Sequence, residues 1–164
     1  WGIGLNRALR ISRTEILRSY RSANLYQYQQ NGHIIKGWRW VASFSSRTCI
    51  ACLLQHGKVF PTSVPMASHI QCRCAPVPVT ASWRELGIDL DDPEPSIREG
   101  DGWRWFLKTA PDTQRRILGD RVYDLWTSGL IGPEQMWHVD HDPVWGDAIV
   151  ASSVRQALTG PRIF

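Results

Sequence analysis

The chain has 164 residues, a formal net charge of +4 and a pI near 9.1, enough for one sizeable core or a core with a small satellite. No apolar run approaches the ~18 residues that a membrane-spanning helix requires, and no signal peptide is recognisable, so no membrane-spanning helix is expected within these residues. The modest net charge conceals an asymmetry: residues 1–74 carry ten Lys and Arg against Glu15 alone, and residues 75–164 carry nine against fourteen acidic groups. The start at Trp1, without an initiator Met, suggests a fragment or a processed product.

From about Leu5 to Gln30 the spacing predicts one long helix. Leu5, Leu9, Ile16, Tyr20 and Ala23 form its apolar stripe, and the arginines mostly lie off that stripe. Asn31-Gly32 is its C-terminal stop. Residues 34–44 alternate bulky and polar groups around Gly37, with Trp38, Trp40 and Val41, and read as a strand. Val59-Phe60 and Pro76-Val77-Pro78-Val79 are short β-like pieces, so a small sheet is expected. Residues 87–101 turn acidic and proline-rich, the signature of a surface linker. A mainly helical tail follows: one helix opens at Trp103 to Lys108, and a second starts at Pro111 and closes at Gly119. Another runs from Asp120 to Ser128-Gly129, a short turn opens at Pro133-Glu134, and a last helix covers Asp147 to Leu158. The expected architecture is α+β: a long N-terminal helix, a small sheet carrying a metal-stapled loop, and a helical tail. Its divisions are 1–84, a linker at 85–102, and 103–164.

All four cysteines fall in one stretch. Cys49-Ile50-Ala51-Cys52 is followed by His69-Ile70-Gln71-Cys72-Arg73-Cys74, which places five soft-metal ligands within 26 residues. CxxC sets two thiolates on one tight turn, and HxxC adds an imidazole and a third thiolate from a second turn, the donor set of tetrahedral Zn²⁺. Two disulfides or free buried thiols are the competing readings, but no cysteine elsewhere supports an oxidised framework. Five candidates for four places force a choice between Cys72 and Cys74, and only one of them is expected to reach a metal held by the first pair. The expected ligands are Cys49, Cys52, His69 and Cys72, with Cys74 as the alternate. His56, four residues past Cys52, suits a packed turn better. Between Glu15 and Glu85 there is no Asp or Glu, so no carboxylate close in sequence can activate a zinc-bound water, and a structural rather than catalytic zinc is expected.

Two further groups of residues invite function. Arg7, Arg10, Arg13, Arg18 and Arg21 on the first helix, interleaved with Tyr20, Tyr26 and Tyr28, could contact a polyanion without sequence preference; the competing reading is a solvated helix face. His138, Asp140, His141 and Asp142 alternate before Pro143 and could ligate a divalent metal in a nuclease or toxin, but a polar surface loop is the favoured reading, since the cluster has no nucleophile or phosphate-binding loop with it. No helix suited to reading bases directly follows the ligands, which argues against a zinc-finger DNA reader.

This combination resembles the phage Mu F-like minor head protein family, also called the phage head morphogenesis domain. The resemblance rests on Arg13-Thr14-Glu15 and Asn24 in the first helix, Trp38 or Trp40, Arg47-Thr48-Cys49-Ile50-Ala51-Cys52, Gly57-Lys58-Val59-Phe60, and His69-Ile70-Gln71-Cys72-Arg73-Cys74 running into Pro76-Val77-Pro78. It covers about residues 10–80; Phe106, Pro111, Gln114, Leu118-Gly119 and Gly129 add a fainter likeness in the tail. After His69 the family has proline where this chain has Ile70. The resemblance implies a non-enzymatic minor capsid protein, in the virion and in the host cytoplasm during assembly. Its implied partners are the portal or capsid protein and, without sequence preference, packaged DNA; no membrane partner is expected. Similar domains also occur attached to prophage effectors or toxins.

Overall fold

The structure is a computed structural model that describes residues 2–160, with side chains from residue 4 onward. Helix α1 (Gly2–Gln30) ends where Asn31 donates from its side chain to the Gln27 carbonyl, 2.8 Å away. The chain then turns into β1 (Ile35–Val41), the central strand of an antiparallel sheet ordered β2-β1-β3, with β2 at Val59–Phe60 and β3 at Ala75–Thr80. Pro76 and Pro78 are tolerated because β3 is an edge strand and their missing N–H groups break no inner ladder. Trp38 and Trp40 sit two residues apart on β1, so both point to one face and both are fully buried. Phe60 stacks on Trp38 at 4.6 Å, and the indole N–H of Trp38 donates to the Val64 carbonyl.

Between β1 and β2 lies α2 (Ile50–Gln55), a short helix that serves two cores. Ala51 and Cys52 pack with Leu25, Trp38, Trp40, Met66, Cys72 and Cys74; Ile50 and Leu53 pack with Phe106, Val122, Ile131 and Met136 of the tail. The tail consists of α3 (Asp101–Lys108), α4 (Pro111–Leu118), α5 (Asp120–Thr127), a 3₁₀ turn (Pro133–Met136), β4 (Trp137–Asp142), β5 (Gly146–Ala151) and α6 (Val154–Thr159). Gly102 lets α3 close on α2, for a Cβ there would stand 2.0 Å from the Leu53 carbonyl oxygen. Residues 88–99 are irregular but tied to the body: Arg39 donates to the Ile97 carbonyl, and Gly57 at φ +87 lies against the Arg98 backbone.

Two sequence expectations need correction. The stripe Leu5, Leu9, Ile16, Tyr20 and Ala23 is exposed along its whole length, and α1 packs through Thr14, Arg21, Leu25 and Tyr28 instead. The buried face mixes polar and apolar groups because it grips a loop of bare carbonyls, so hydrophobic periodicity selects the opposite side. The helix expected over 147–158 is a helix only from Val154; before it, Gly146–Ala151 pairs with Trp137–Asp142 in an antiparallel hairpin, Val139 opposite Ile149. Ala148-Ile149-Val150 is too short an apolar run to separate a helix from a strand by periodicity. Tertiary contact decides it: Ile149 enters the core around Cys52, its N–H donates to the Ala67 carbonyl, and Ser68 bridges to it in parallel.

Candidate metal centre

Two loops build the site. Cys49 is the N-cap of α2, its sulfur accepting from the Cys52 N–H at 3.5 Å; Cys52 sits one turn further on the same face. The second loop turns at His69–Cys72, where the Cys72 N–H donates to the His69 carbonyl. Gln71 adopts φ +60, a left-handed conformation rare outside glycine. That residue turns the chain after His69, and Cys72 and Cys74, two residues apart on the stretch that follows, point to one side, so both sulfurs face Cys52, against the expectation that only one would.

The outcome is two overlapping trios, Cys49–Cys52–His69 and Cys52–Cys72–Cys74, each with its donor atoms within 4.8 Å of one another and Cys52 common to both. His69 Nε2 lies 3.2 Å from the sulfurs of Cys49 and Cys52, and the Cys52 and Cys72 sulfurs are 3.8 Å apart. Nδ1 of His69 is 2.8 Å from the Ile70 carbonyl, which commits that nitrogen to the N–H and leaves Nε2 facing the sulfurs. All four cysteines are free thiols, so the cluster can hold a metal ion and contains no disulfide. His56 belongs to neither trio: it is buried, and its Nδ1 accepts from the Ala42 N–H at 3.1 Å. Burial pushes its pKa down.

The electrostatics separate the thiols. A hydrogen bond from Cys52, helped by His69, brings the Cys49 pKa down to about 5, whereas the same contact pushes Cys52 up. The Cys72 thiol is held well below its usual range by hydrogen bonds from Cys52 and Cys74. Cys74 goes up: its contact with Cys52 favours the thiolate, but Cys72 and burial outweigh it. Burial opposes a charge on His69, yet its contacts with Cys49 and Cys72 raise it to about 10. Trp40 Nε1 is buried with no hydrogen-bond partner; it lies near enough the Cys74 sulfur to favour that thiolate, though outside hydrogen-bond geometry.

The residue that sequence reasoning misplaced is Arg21. Its side chain is 4 % exposed. The guanidinium donates from Nε and Nη2 to the Cys74 carbonyl, from Nη2 to the Cys72 carbonyl at 2.7 Å, and from Nη1 to Ser68 Oγ. Two turns earlier, Thr14 Oγ1 accepts from the Gln71 N–H at 3.2 Å while donating to the Arg10 carbonyl. Helix α1 therefore clamps the ligand loop at both ends, and Arg21 is withdrawn from the basic surface. The signal lay in the steps from Thr14 to Arg21, Leu25 and Tyr28, one helical face that ends in known core formers. Arg7, Arg10 and Arg13 are exposed and Arg18 is half-buried, 3.8 Å from Glu15 and 5.5 Å from the Trp145 ring centre.

Beside Cys49 and His69 a cavity of about 700 Å³ opens between α1 and the β4–β5 hairpin. Folding brings Glu15, Asp140 and Asp142 to its walls, carboxylates that are far from the cysteines in sequence or on the opposite element. None of them joins a ligand group among the described residues. His138 has both ring nitrogens engaged, with Gln156 at 2.8 Å and Ser152 at 3.4 Å, and His141 pairs with Asp147 at 2.7 Å.

A long helix laid across a three-stranded sheet, gripping a cysteine- and histidine-rich loop through carbonyl contacts, defines a small module whose last element is β3 and whose Cys/His cluster can hold a metal. Residues 3–77, which span α1 through the first half of β3, match the family described as Phage Mu protein F like protein. Over those residues the chain is similar to phage Mu F-like head morphogenesis proteins. No curated protein and no solved structure matches the chain. Among the described residues no helix is long and apolar enough to cross a membrane.

Proposed function

We propose that this protein is a minor head protein of a tailed phage or prophage, acting beside the portal in head assembly, DNA packaging or delivery, with a zinc ion that staples its ligand loop. The observation that carries the reading is that the segment matching the Mu F-like family closes on the Cys/His cluster itself. Zn–S bonds of about 2.3 Å set tetrahedral edges near 3.8 Å, and a mixed S–N edge is near 3.6 Å. The sulfur and nitrogen spacings of 3.8 and 3.2 Å are close to those edges and support zinc on Cys49, Cys52, His69 and Cys72, with Cys74 in reserve. Three thiolates would leave such a zinc site one negative charge in excess, and the Arg21 guanidinium on the Cys72 and Cys74 carbonyls offsets it. Closed by four protein donors, the ion holds loops rather than activating water.

The exposed Arg7, Arg10 and Arg13 are available for non-specific contact with packaged DNA; Arg18 is partly committed to Glu15 and Trp145. A prophage effector or metal-dependent nuclease remains the alternative reading, but the engagement of His138 and His141 by neighbouring side chains weighs against it. The deciding experiment is quantitative mass spectrometry of purified virions or induced prophage particles. A reproducible low copy number relative to the portal protein supports the reading, and absence from particles with free protein in the host overturns it.

The ionisation pattern gives the metal step a pH signature. At neutral pH Cys49 and Cys72 are already thiolates, whereas Cys52 and His69 carry protons that must leave when a metal takes their donor atoms. Zinc uptake at pH 7 should therefore release about two protons, and affinity should climb with pH toward 10. Calorimetry in buffers of different ionisation enthalpy measures the number. In the metal-free protein the signs are opposite for the two partners. His69, raised from 6.5 to about 10, adds stability that is complete below 6.5 and lost as pH rises through 10; Cys49, lowered from 9.0 to about 5, adds stability lost as pH falls through 5. Any residual apo structure should thus persist only between those limits.

A further inference from the structure

Helix α1 has a second face that the metal loop does not use. Leu5, Leu9, Ser12, Ile16, Ser19 and Ala23 follow one another in alternating steps of four and three residues, and Tyr26 continues the series. Every one of them is exposed; Leu5, Leu9 and Ile16 are 62, 57 and 67 % accessible. A repeat of 3.5 residues with an apolar or small side chain at each step is the seam of a coiled coil. It lies opposite Thr14, Arg21 and Tyr28, so the body of the protein does not obstruct it.

The charges on α1 indicate what fits there. The helix carries five arginines and one glutamate, yet Arg7, Arg10, Arg18 and Arg21 all lie on the body-facing arc. Only Arg13 and Glu15 flank the seam, on opposite sides. In a parallel pair of α1 helices each flank meets the other flank of the partner five residues away, so Arg13 faces Ala8 and Glu15 faces Tyr20. No like charges meet. An antiparallel pair would bring identical flanks together, Arg13 toward Arg13 and Glu15 toward Glu15. DNA or an anionic membrane would require the arginines along the apolar stripe, and they lie away from it. The first turns supply a second reason for a partner. Residues 4–13 are exposed all round and have no acidic residue in the first turn, and isolated helices under about 12–15 residues are marginal in water.

We infer that α1 pairs in parallel with α1 of a second copy through the Leu5–Tyr26 seam, making the protein a two-fold dimer whose metal modules face outward. This goes beyond the function proposed above and does not depend on it, since metal content and virion association can fail while the dimer stands. Light scattering on the zinc-loaded full chain at micromolar concentrations should give twice the 18.7 kDa of one chain. Leu9→Ser with Ile16→Ser should give the single-chain mass with unchanged metal content, and Ser12→Cys should yield a disulfide-linked dimer on mild oxidation, because a seam residue meets its own copy only in a parallel pair. A wild-type monomer at every concentration overturns the inference, as does a dimer that survives the double substitution. So does a wild-type monomer that binds duplex DNA or phosphatidylserine vesicles and loses that binding in the double variant.

Discussion

Replacing Cys52 by Ser is expected to unfold the N-terminal half of the protein at physiological temperature. Cys52 is the one donor common to both trios and is 1 % exposed, so its loss removes a ligand from either arrangement and leaves a hydroxyl in an apolar core. Apparent binding free energies of structural zinc run about 10–16 kcal/mol, against a net stability of about 5–15 kcal/mol for an ordinary domain. On the proposed zinc staple, the balance therefore fails when the ion is lost. Thermal denaturation should show wild-type protein losing tens of degrees on prolonged chelation and recovering them with added zinc, while Cys52→Ser responds to neither. Cys72→Ser and Cys74→Ser divide the two candidates for the fourth ligand: the first should lose the metal and the second retain it. An apo protein as stable as the metal-loaded one would dismiss the stapling role.

The second large effect belongs to Arg21. Arg21→Met keeps the aliphatic stem but strands the carbonyls of Cys72 and Cys74 and the hydroxyl of Ser68, all drawn inward by the guanidinium. A loss of about 3–5 kcal/mol is expected, the range for breaking a buried charged network. Arg21→Lys should recover little of it, because a point charge with three donors cannot reproduce a planar fork spanning two carbonyls and a hydroxyl. Urea denaturation checks the stability, and the rate of zinc release to a chelator should rise in parallel as the ligand loop loosens. Arg13→Ala, on the exposed side of the same helix, should stay within about 0.5 kcal/mol of wild type. If Arg21→Met were as stable as Arg13→Ala but bound DNA more weakly, Arg21 would return to the basic surface.

The two substitutions mark where sequence reading succeeded and where it did not. That the cysteines and His69 gather in one cluster was legible because their spacings are local: one helical turn separates Cys49 from Cys52, and one tight turn His69 from Cys72. The helices closing at Leu118 and Thr127 and the 3₁₀ turn at Pro133 were legible for the same reason, since proline and glycine act on their own backbone. Arg21 was not, because its partners are carbonyl oxygens more than fifty residues away, groups that every sequence possesses and none announces. The face of α1 that is buried follows from those carbonyls, and the hydrophobic stripe pointed the other way.

By itself, then, the sequence determined the Cys/His cluster, the long first helix and the small sheet, each set by contacts within a few residues or by alternation along a strand. Tertiary structure alone decided three things: that Cys74 joins Cys52, after the left-handed turn at Gln71; that residues 137–151 fold as a hairpin seated on the core around Cys52 through Ile149; and that the acidic residues Asp140 and Asp142 come to the cavity beside His69. The physical reason is common to all three. Short apolar and polar runs are compatible with more than one local conformation, and the free energy that selects among them comes from burial and hydrogen bonds to distant segments.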